Sequence, residues 1–243
     1  VDGLDYAYSV TLSSDGNHAY VAANNDDAVS WYERNASTGA LTYGGMLKDR
    51  VNGVDGLYGA RSVTLSSDGN HAYVAAGIDD AVSWFERNAT TGALTYGGIL
   101  KDGVNGVDGL NWSLNVLVSP DNKNVYATGI FDMAVSWYER NATGGGALHY
   151  GGVVKDGVNG VDGLRSAQDV QVSPDGKNVY VVGESDNSIS WFTRDHATGA
   201  LSYGPATGSS YTLSSDDLGA TITVRAIYTD GGSFEHNVSS AGT

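Results

Sequence analysis

The sequence predicts an all-β protein, a β-propeller of four-stranded antiparallel blades, and three observations carry that prediction. One unit of text recurs: residues 54–106 match residues 1–53 at 44 of 53 positions, and residues 107–160 and 161–210 are looser copies. A period of this length is that of propeller blades and other stacked repeats. Within each copy, short runs rich in β-branched and aromatic residues are separated by Asp, Asn, Ser and Gly, the residues of tight turns. No stretch shows the 3.6-residue apolar period of a helix, and 34 glycines in 243 residues suit a chain that turns often.

The second copy serves to place the elements in order. Residues 61–66 (RSVTLS) alternate apolar and small polar residues, residues 67–70 (SDGN) form a turn, and residues 71–76 (HAYVAA) resume a β-rich run, so the three together predict a hairpin. After the loop at residues 77–80 (GIDD), residues 81–87 (AVSWFER) are a third strand, residues 88–92 (NATTG) a second turn and residues 93–100 (ALTYGGIL) a fourth strand. The linker at residues 101–110 (KDGVNGVDGL) carries the Gly, Asn and Asp needed to cross from an outer strand to the next inner one. Each blade has two faces to bury, so the units are expected to stack radially around a central channel.

The last stretch is different in kind. Residues 211–243 read as strands at 210–214, 220–228 and 233–239, a degenerate fifth blade within a single propeller spanning residues 1–243. The alternative is four blades plus a tail, since residues 206–213 and 219–224 also resemble part of a bacterial immunoglobulin-like repeat. Half a sandwich has no partner sheet for its apolar face, which favours the fifth blade.

At residues 172–181 (VSPDGKNVYV), 190–192 (SWF) and 197–201 (ATGAL) the repeat resembles that of lactonase-type, phosphogluconolactonase-like propellers and of bacterial surface-protein propellers. The resemblance covers roughly residues 1–204. It implies the blade and leaves function open, because the same repeat serves enzymes and binding proteins.

Charge and composition exclude several partners. With 13 basic against 28 acidic residues the net charge is −15 at pH 7, which repels nucleic-acid phosphates and anionic lipid. There is no cysteine, so disulfides, thiolate metal sites and a cysteine nucleophile are excluded together. No apolar run approaches the length of a membrane-spanning helix. A chain that starts at Val1 without a signal-like segment is expected to be a mature or excised product.

Candidate ligand residues are those that differ between copies where each inner strand begins, on the face shared by the linkers and the loops between strands two and three. They are Tyr6, Tyr8, Tyr58, Arg61, Asn111, Trp112, Arg165 and Gln168. Aromatic faces with Arg and amide groups beside them stack on a sugar ring and bond its hydroxyls. The same face is dense in oxygen ligands, and Asp102, Asn105 and Asp108 offer Ca²⁺ a site, although Asp and Asn are also the ordinary residues of turns. Beyond that calcium no cofactor is expected. The recurring Trp31, Trp84, Trp137 and Trp191 are expected to pack the blades. His18 and His71 lie beside the first turn of their copies, away from the candidate face, and no Ser/His/Asp grouping or HExxH motif occurs. The expectation is a non-catalytic extracellular or cell-surface binding module, multivalent and lectin-like, with glycans or glycoproteins as partners. The alternatives are a structural or adhesive surface protein and a metal-dependent, lactonase-like hydrolase.

Overall fold

The computed structural model describes residues 2–203, 210–212, 225–229 and 235–239. Four sheets follow one another along the chain. Blade one holds β1 (Ala7–Leu12), β2 (His18–Ala23), β3 (Ala28–Arg34) and β4 (Leu41–Lys48). Blade two holds β5 (Ala60–Leu65), β6 (His71–Ala76), β7 (Ala81–Arg87) and β8 (Leu94–Lys101). Blade three holds β9 (Ser113–Val118), β10 (Asn124–Gly129), β11 (Ala134–Arg140) and β12 (Leu148–Lys155). Blade four holds β13 (Ala167–Val172), β14 (Asn178–Gly183), β15 (Ser188–Arg194) and β16 (Leu201–Tyr203), and β17 (Ser210–Thr212) also pairs with β15. Within each blade the strands pair antiparallel in chain order, and the inner strands β1, β5, β9 and β13 lie side by side. A second unit, residues 212–243, contributes the hairpin β18 (Arg225–Thr229) and β19 (Glu235–Ser239). The fifth-blade expectation for residues 211–243 otherwise falls outside the described residues. Among the described residues no helix is long and apolar enough to cross a membrane.

The turns follow from their residues. At the first hairpin of blade two, Ser66 Oγ donates to Asp68 Oδ1 at 2.5 Å, the Asn70 amide donates to the same oxygen, and Gly69 takes φ +72°. Glycine is the residue that adopts this left-handed conformation without a Cβ clash. At the second hairpin Asn88 Oδ1 accepts from the amides of Thr90 and Thr91. The Asn-Ala-Thr triplet there is turn chemistry.

Each junction between blades is an apolar layer. Tyr20, Ala22, Val29 and Trp31 of blade one meet Leu57, Ala60, Val63, Phe85 and Leu94 of blade two. The same layer repeats between blades two and three and between blades three and four. The tryptophans pack as expected and add a detail: the Trp84 ring lies against Gly97 and Gly98 of β8. A Cβ on Gly97 would sit 2.5 Å from Trp84 Cδ1, so only glycine admits the indole there.

At the end of the blades carrying the first hairpin, a buried arginine crosses every junction. Arg140 Nε donates to Tyr73 OH (2.7 Å), Nη1 to the Asn122 carbonyl (3.0 Å), and Nη2 to Asp68 Oδ2 (2.9 Å). Its Nη2 also lies 2.7 Å from His71 Nδ1, so His71 accepts there as a neutral imidazole. Arg87 makes the same set of contacts to Tyr20, Gly69, Asp15 and His18. Arg194 makes it to Tyr126, Gly176 and Asp121, with Asn124 in the histidine's place.

This clasp makes stability pH-dependent in a stated direction. Burial, then the neighbouring guanidinium, lowers the pKa of His18 and of His71. A lowered histidine pKa means that the unfolded chain binds the proton more readily, so stability falls as pH drops below about 6.5. Hydrogen bonds from Ser13 and the Asn17 amide hold Asp15 down at about 2. Its contribution is full above the ordinary carboxylate pKa of about 4 and is lost as pH falls toward 2. Thermal melts from pH 8 to pH 2 should therefore decline in two stages, and in His18→Gln/His71→Gln the first stage should be much reduced. A first decline of unchanged size in that variant would remove the histidines from the account.

Among the described residues of the first unit, blades one and four each have a neighbouring blade on one side. The side chains of β1 are exposed where those of β5 are largely buried, with Val10 67% and Leu12 56% accessible. At the other end Tyr180 and Val182 of β14 are about two-fifths exposed. A blade has two apolar faces and needs a neighbour on each.

Candidate functional site

At the opposite end of the blades from the arginine clasps, the linkers and the loops between strands two and three come together. Aspartates in those loops, paired in blades one and two, organise this end. Asp79 Oδ2 accepts from the Tyr58 amide, Asp132 Oδ2 from the amides of Gly109 and Asn111, and Asp186 Oδ2 from that of Arg165. The second aspartate reaches across a junction: Asp27 Oδ1 accepts from the Gly59 amide and Asp80 Oδ1 from that of Trp112. These contacts force the start of each inner strand into a tight turn, with Tyr6 at φ +56°, Gly59 at +74°, Trp112 at +58° and Ser166 at +53°. Non-glycine residues at positive φ are uncommon and concentrate at functional sites. Here Tyr6 and Trp112 carry aromatic rings at that turn. The residue two places on, at a bulge in β1, β5 and β13, is Tyr8, Arg61 and Gln168.

The structure brings four of the eight sequence candidates into one line across three blades. The Tyr6 and Tyr8 rings are 5.2 Å apart, edge to face. The Arg61 guanidinium lies 4.3 Å from the Tyr8 ring centroid and 5.7 Å from that of Trp112. Trp112 continues to Phe131 at 5.5 Å. Among the described residues Arg61 Nε is buried with no hydrogen-bond partner, as are Ser113 Oγ and Asn115 Oδ1 on β9. Buried polar atoms without partners are rare in folded proteins.

The other four candidates are placed differently. Tyr58 stands under Arg50, whose guanidinium is 5.3 Å from the ring. Asn111 and Arg165 occupy the same turn position as Tyr58, their amides held by Asp132 and Asp186. Gln168 Nε2 donates to Glu184 Oε2 at 2.6 Å on blade four. Sequence reasoning missed Phe131, Arg50 and Glu184. Phe131 had a signal: the loop position it shares with Asn25, Ile78 and Ser185 differs in every copy.

The calcium candidates need a correction. Asp102 and Asp108 do converge, but the third carboxylate is Asp132, from the loop between β10 and β11. Asn105 is exposed at the tip of the linker turn with φ +52° and takes no part. The linker folds back so that its ends meet and its middle points to solvent. Lys155 Nζ already bridges Asp108 (2.7 Å) and Asp132 (3.1 Å), and Asp102 accepts from the Leu110 amide. Burial, with the Asp132 and Asp108 carboxylates beside it, raises the pKa of Asp102. Burial acts the same way on Asp132, but hydrogen bonds from the Asn111 amide and Lys155 outweigh it and lower its pKa. Lys101 pairs with Asp79 in the same manner at 2.9 Å. These carboxylates tie linkers and loops together through lysine.

Successive four-stranded antiparallel blades, their inner strands side by side, define a β-propeller. The particular family is shown by the family model for lactonase, the 7-bladed β-propeller, which matches residues 10–206; the chain belongs to that family. Similar solved structures include a protein assigned as a 6-phosphogluconolactonase from Bacteroides uniformis, at 18% identity and TM-score 0.69, covering 85% of this chain and 55% of that one. A counterpart from Bacteroides fragilis has 24% identity, TM-score 0.68 and the same coverage. The periplasmic gluconolactonase PpgL of Pseudomonas aeruginosa has 17% identity and TM-score 0.66, covering 98% of this chain and 70% of that one. The chain thus spans just over half the length of the Bacteroides proteins. No curated protein matches it in sequence.

These findings correct the functional expectation. A non-catalytic chain is overturned, since the family and the similar structures are named for lactone hydrolysis. Family membership favours the lactonase alternative over the lectin-like role. The physical reason for the miss is that a propeller site is assembled from single residues of successive blades, which leaves no contiguous catalytic motif.

Proposed function

We propose that this chain takes part in hydrolysis of a neutral sugar lactone at the Tyr8, Arg61 and Trp112 cluster, with Arg61 polarising the lactone carbonyl. The observation that carries this reading is membership of the lactonase family over residues 10–206. The geometry supports it: a ring stacked on Tyr8 or Trp112 meets a guanidinium whose Nε has no partner among the described residues. A fixed cation at the carbonyl oxygen stabilises the charge that develops there when water adds. The water oxygen joins the carbonyl carbon, the ring C–O bond breaks, and the ring oxygen takes up a proton to leave a hydroxy acid.

Charge supports a neutral substrate. An uncharged lactone approaches a protein of net charge −15 freely, while the ionised product is repelled and leaves. A phosphorylated lactone meets the same repulsion on the way in. Acid release followed at constant pH should therefore show faster turnover of δ-gluconolactone than of its 6-phosphate. Arg61→Ala should lower kcat/KM by about 10²- to 10³-fold, as loss of one oxyanion donor does elsewhere, without moving the melting temperature by more than a few degrees. Hydrolysis by the parent protein no faster than in buffer alone would overturn the reading.

A further inference from the structure

We infer that Asp80 is a positioning residue for the candidate site: from blade two it holds the start of β9 so that the Trp112 ring is fixed beside Arg61, and through that ring it sets how well a substrate ring binds. The substrate part of this inference rests on the lactonase reading above.

The loop between β6 and β7, residues 77–80, supplies both parts of the hold. Asp80 Oδ1 accepts from the Trp112 amide across the junction at 2.7 Å. At the other end of the same loop Gly77 gives the indole a seat. A Cβ on Gly77 would lie 3.7 Å from Trp112 Cε2 and 3.8 Å from Arg61 Cγ, so the ring and the arginine stem lie together over that glycine. The Trp112 carbonyl is bound within its own blade, by the Ile130 amide at 3.3 Å. Blade three thus holds the carbonyl of Trp112 and blade two holds its amide. Trp112 takes φ +58°, a conformation that a bulky residue keeps only where its surroundings impose it. Without Asp80 the residue is free to relax toward negative φ, which carries its ring away from the Arg61 guanidinium, 5.7 Å from the ring centroid.

The other junctions separate this role from a structural one. Between blades one and two, Asp27 Oδ1 makes the same bond to the Gly59 amide at 2.9 Å, where there is no ring to place. Between blades three and four, Met133 stands at the position of Asp80, with φ +50° against +53°. The turn opposite it forms all the same, with Ser166 at φ +53°. Met133 also keeps the backbone contact of Asp80: its carbonyl accepts from the Asp156 amide as that of Asp80 does from the Asp102 amide, both at 2.9 Å. The turn therefore forms without an aspartate, and what Asp80 adds at the second junction is the location of an aromatic ring.

Asp80→Met puts into blade two the residue that blade three already carries, and its melting temperature should stay within a few degrees of the parent. For δ-gluconolactone its KM should rise about 3- to 10-fold with kcat within about twofold, the scale of one stacking contact that substrate and transition state lose equally. Asp80→Asn keeps an Oδ1 acceptor and should stay within about twofold of the parent in both constants. Acrylamide quenching reads the ring itself. The Trp112 contribution, taken as the difference between each protein and its Trp112→Phe counterpart, should be quenched more strongly in Asp80→Met and no more strongly in Asp80→Asn. Lower kcat at unchanged KM, unchanged quenching in Asp80→Met, or an Asp80→Asn that behaves like Asp80→Met overturns the inference. So does a large loss of melting temperature in Asp80→Met, which would make Asp80 a structural residue. If the parent hydrolyses no lactone, the lactonase reading fails, and quenching and melting decide by themselves whether Asp80 places Trp112.

Discussion

Arg140→Ala should lower the melting temperature by roughly 6–12 °C. The Arg140 side chain is fully buried between blades two and three, and its removal strands Tyr73, Asp68 and His71 together. Breaking a buried ion pair by removing one partner costs about 3–5 kcal/mol. The lower end applies here, because Asp68 keeps 29% of its side chain in water and regains hydration. At 2–4 °C per kcal/mol for a protein of this size, that gives the stated shift. Arg140→Lys should recover less than half of it: an ammonium keeps the charge but lacks the planar fork that reaches Tyr73, Asn122 and Asp68 at once. A melting temperature within about 2 °C of the parent for Arg140→Ala, by calorimetry, would show that the apolar layer alone holds the junction.

Trp84→Ala should destabilise the chain by about 3 kcal/mol or more, the range for truncating a large aromatic in a packed layer. The indole lies between the apolar cluster of the blade two to blade three junction and the backbone of Gly97 and Gly98. Its loss opens a cavity walled by backbone, which cannot collapse easily. In the parent, Gly98→Val drives new atoms into the ring and should be comparably damaging. In the Trp84→Ala background the same valine enters the vacated space, so the double variant should be more stable than the two losses predict when added. Urea unfolding of the four proteins measures this, and strict additivity would mean that the tryptophan and the glycine pair do not share one space.

Much of the fold was legible because repetition converts a weak local signal into a strong one. Four copies of a Ser-x-Asp-Gly/Asn turn and of a second turn opened by Asn or Asp and closed by Gly, with β-rich runs between, leave little choice of strand count or order. The packing role of Trp84 followed from its recurrence in every copy.

The candidate site was half legible. Variation at the start of each inner strand drew attention to Tyr6, Tyr8, Arg61 and Trp112, and these do meet. The same criterion drew in Tyr58, Asn111 and Arg165, which share the variation without sharing the cluster, because a difference between copies marks a lack of common constraint and not a common location. Phe131 comes from a different loop of the blade, and only the pairing of that loop with the inner strand brings it close to Trp112.

What the sequence by itself determined was the blade: its strands, its turns, the acidic surface, and the apolar faces that demand neighbours. Each of these rests on residues within a few positions of one another, so period and turn chemistry suffice to specify them. What only the tertiary structure decided lies between blades. The Arg140, Tyr73, Asp68 and His71 clasp joins residues separated by up to 72 positions. The placing of Arg61 between Tyr8 and Trp112 joins three blades, and the third carboxylate beside Asp102 and Asp108 proved to be Asp132. Such contacts depend on how one sheet is rotated and set against the next. That geometry comes from the summed packing of whole faces, and no local pattern of residues records it.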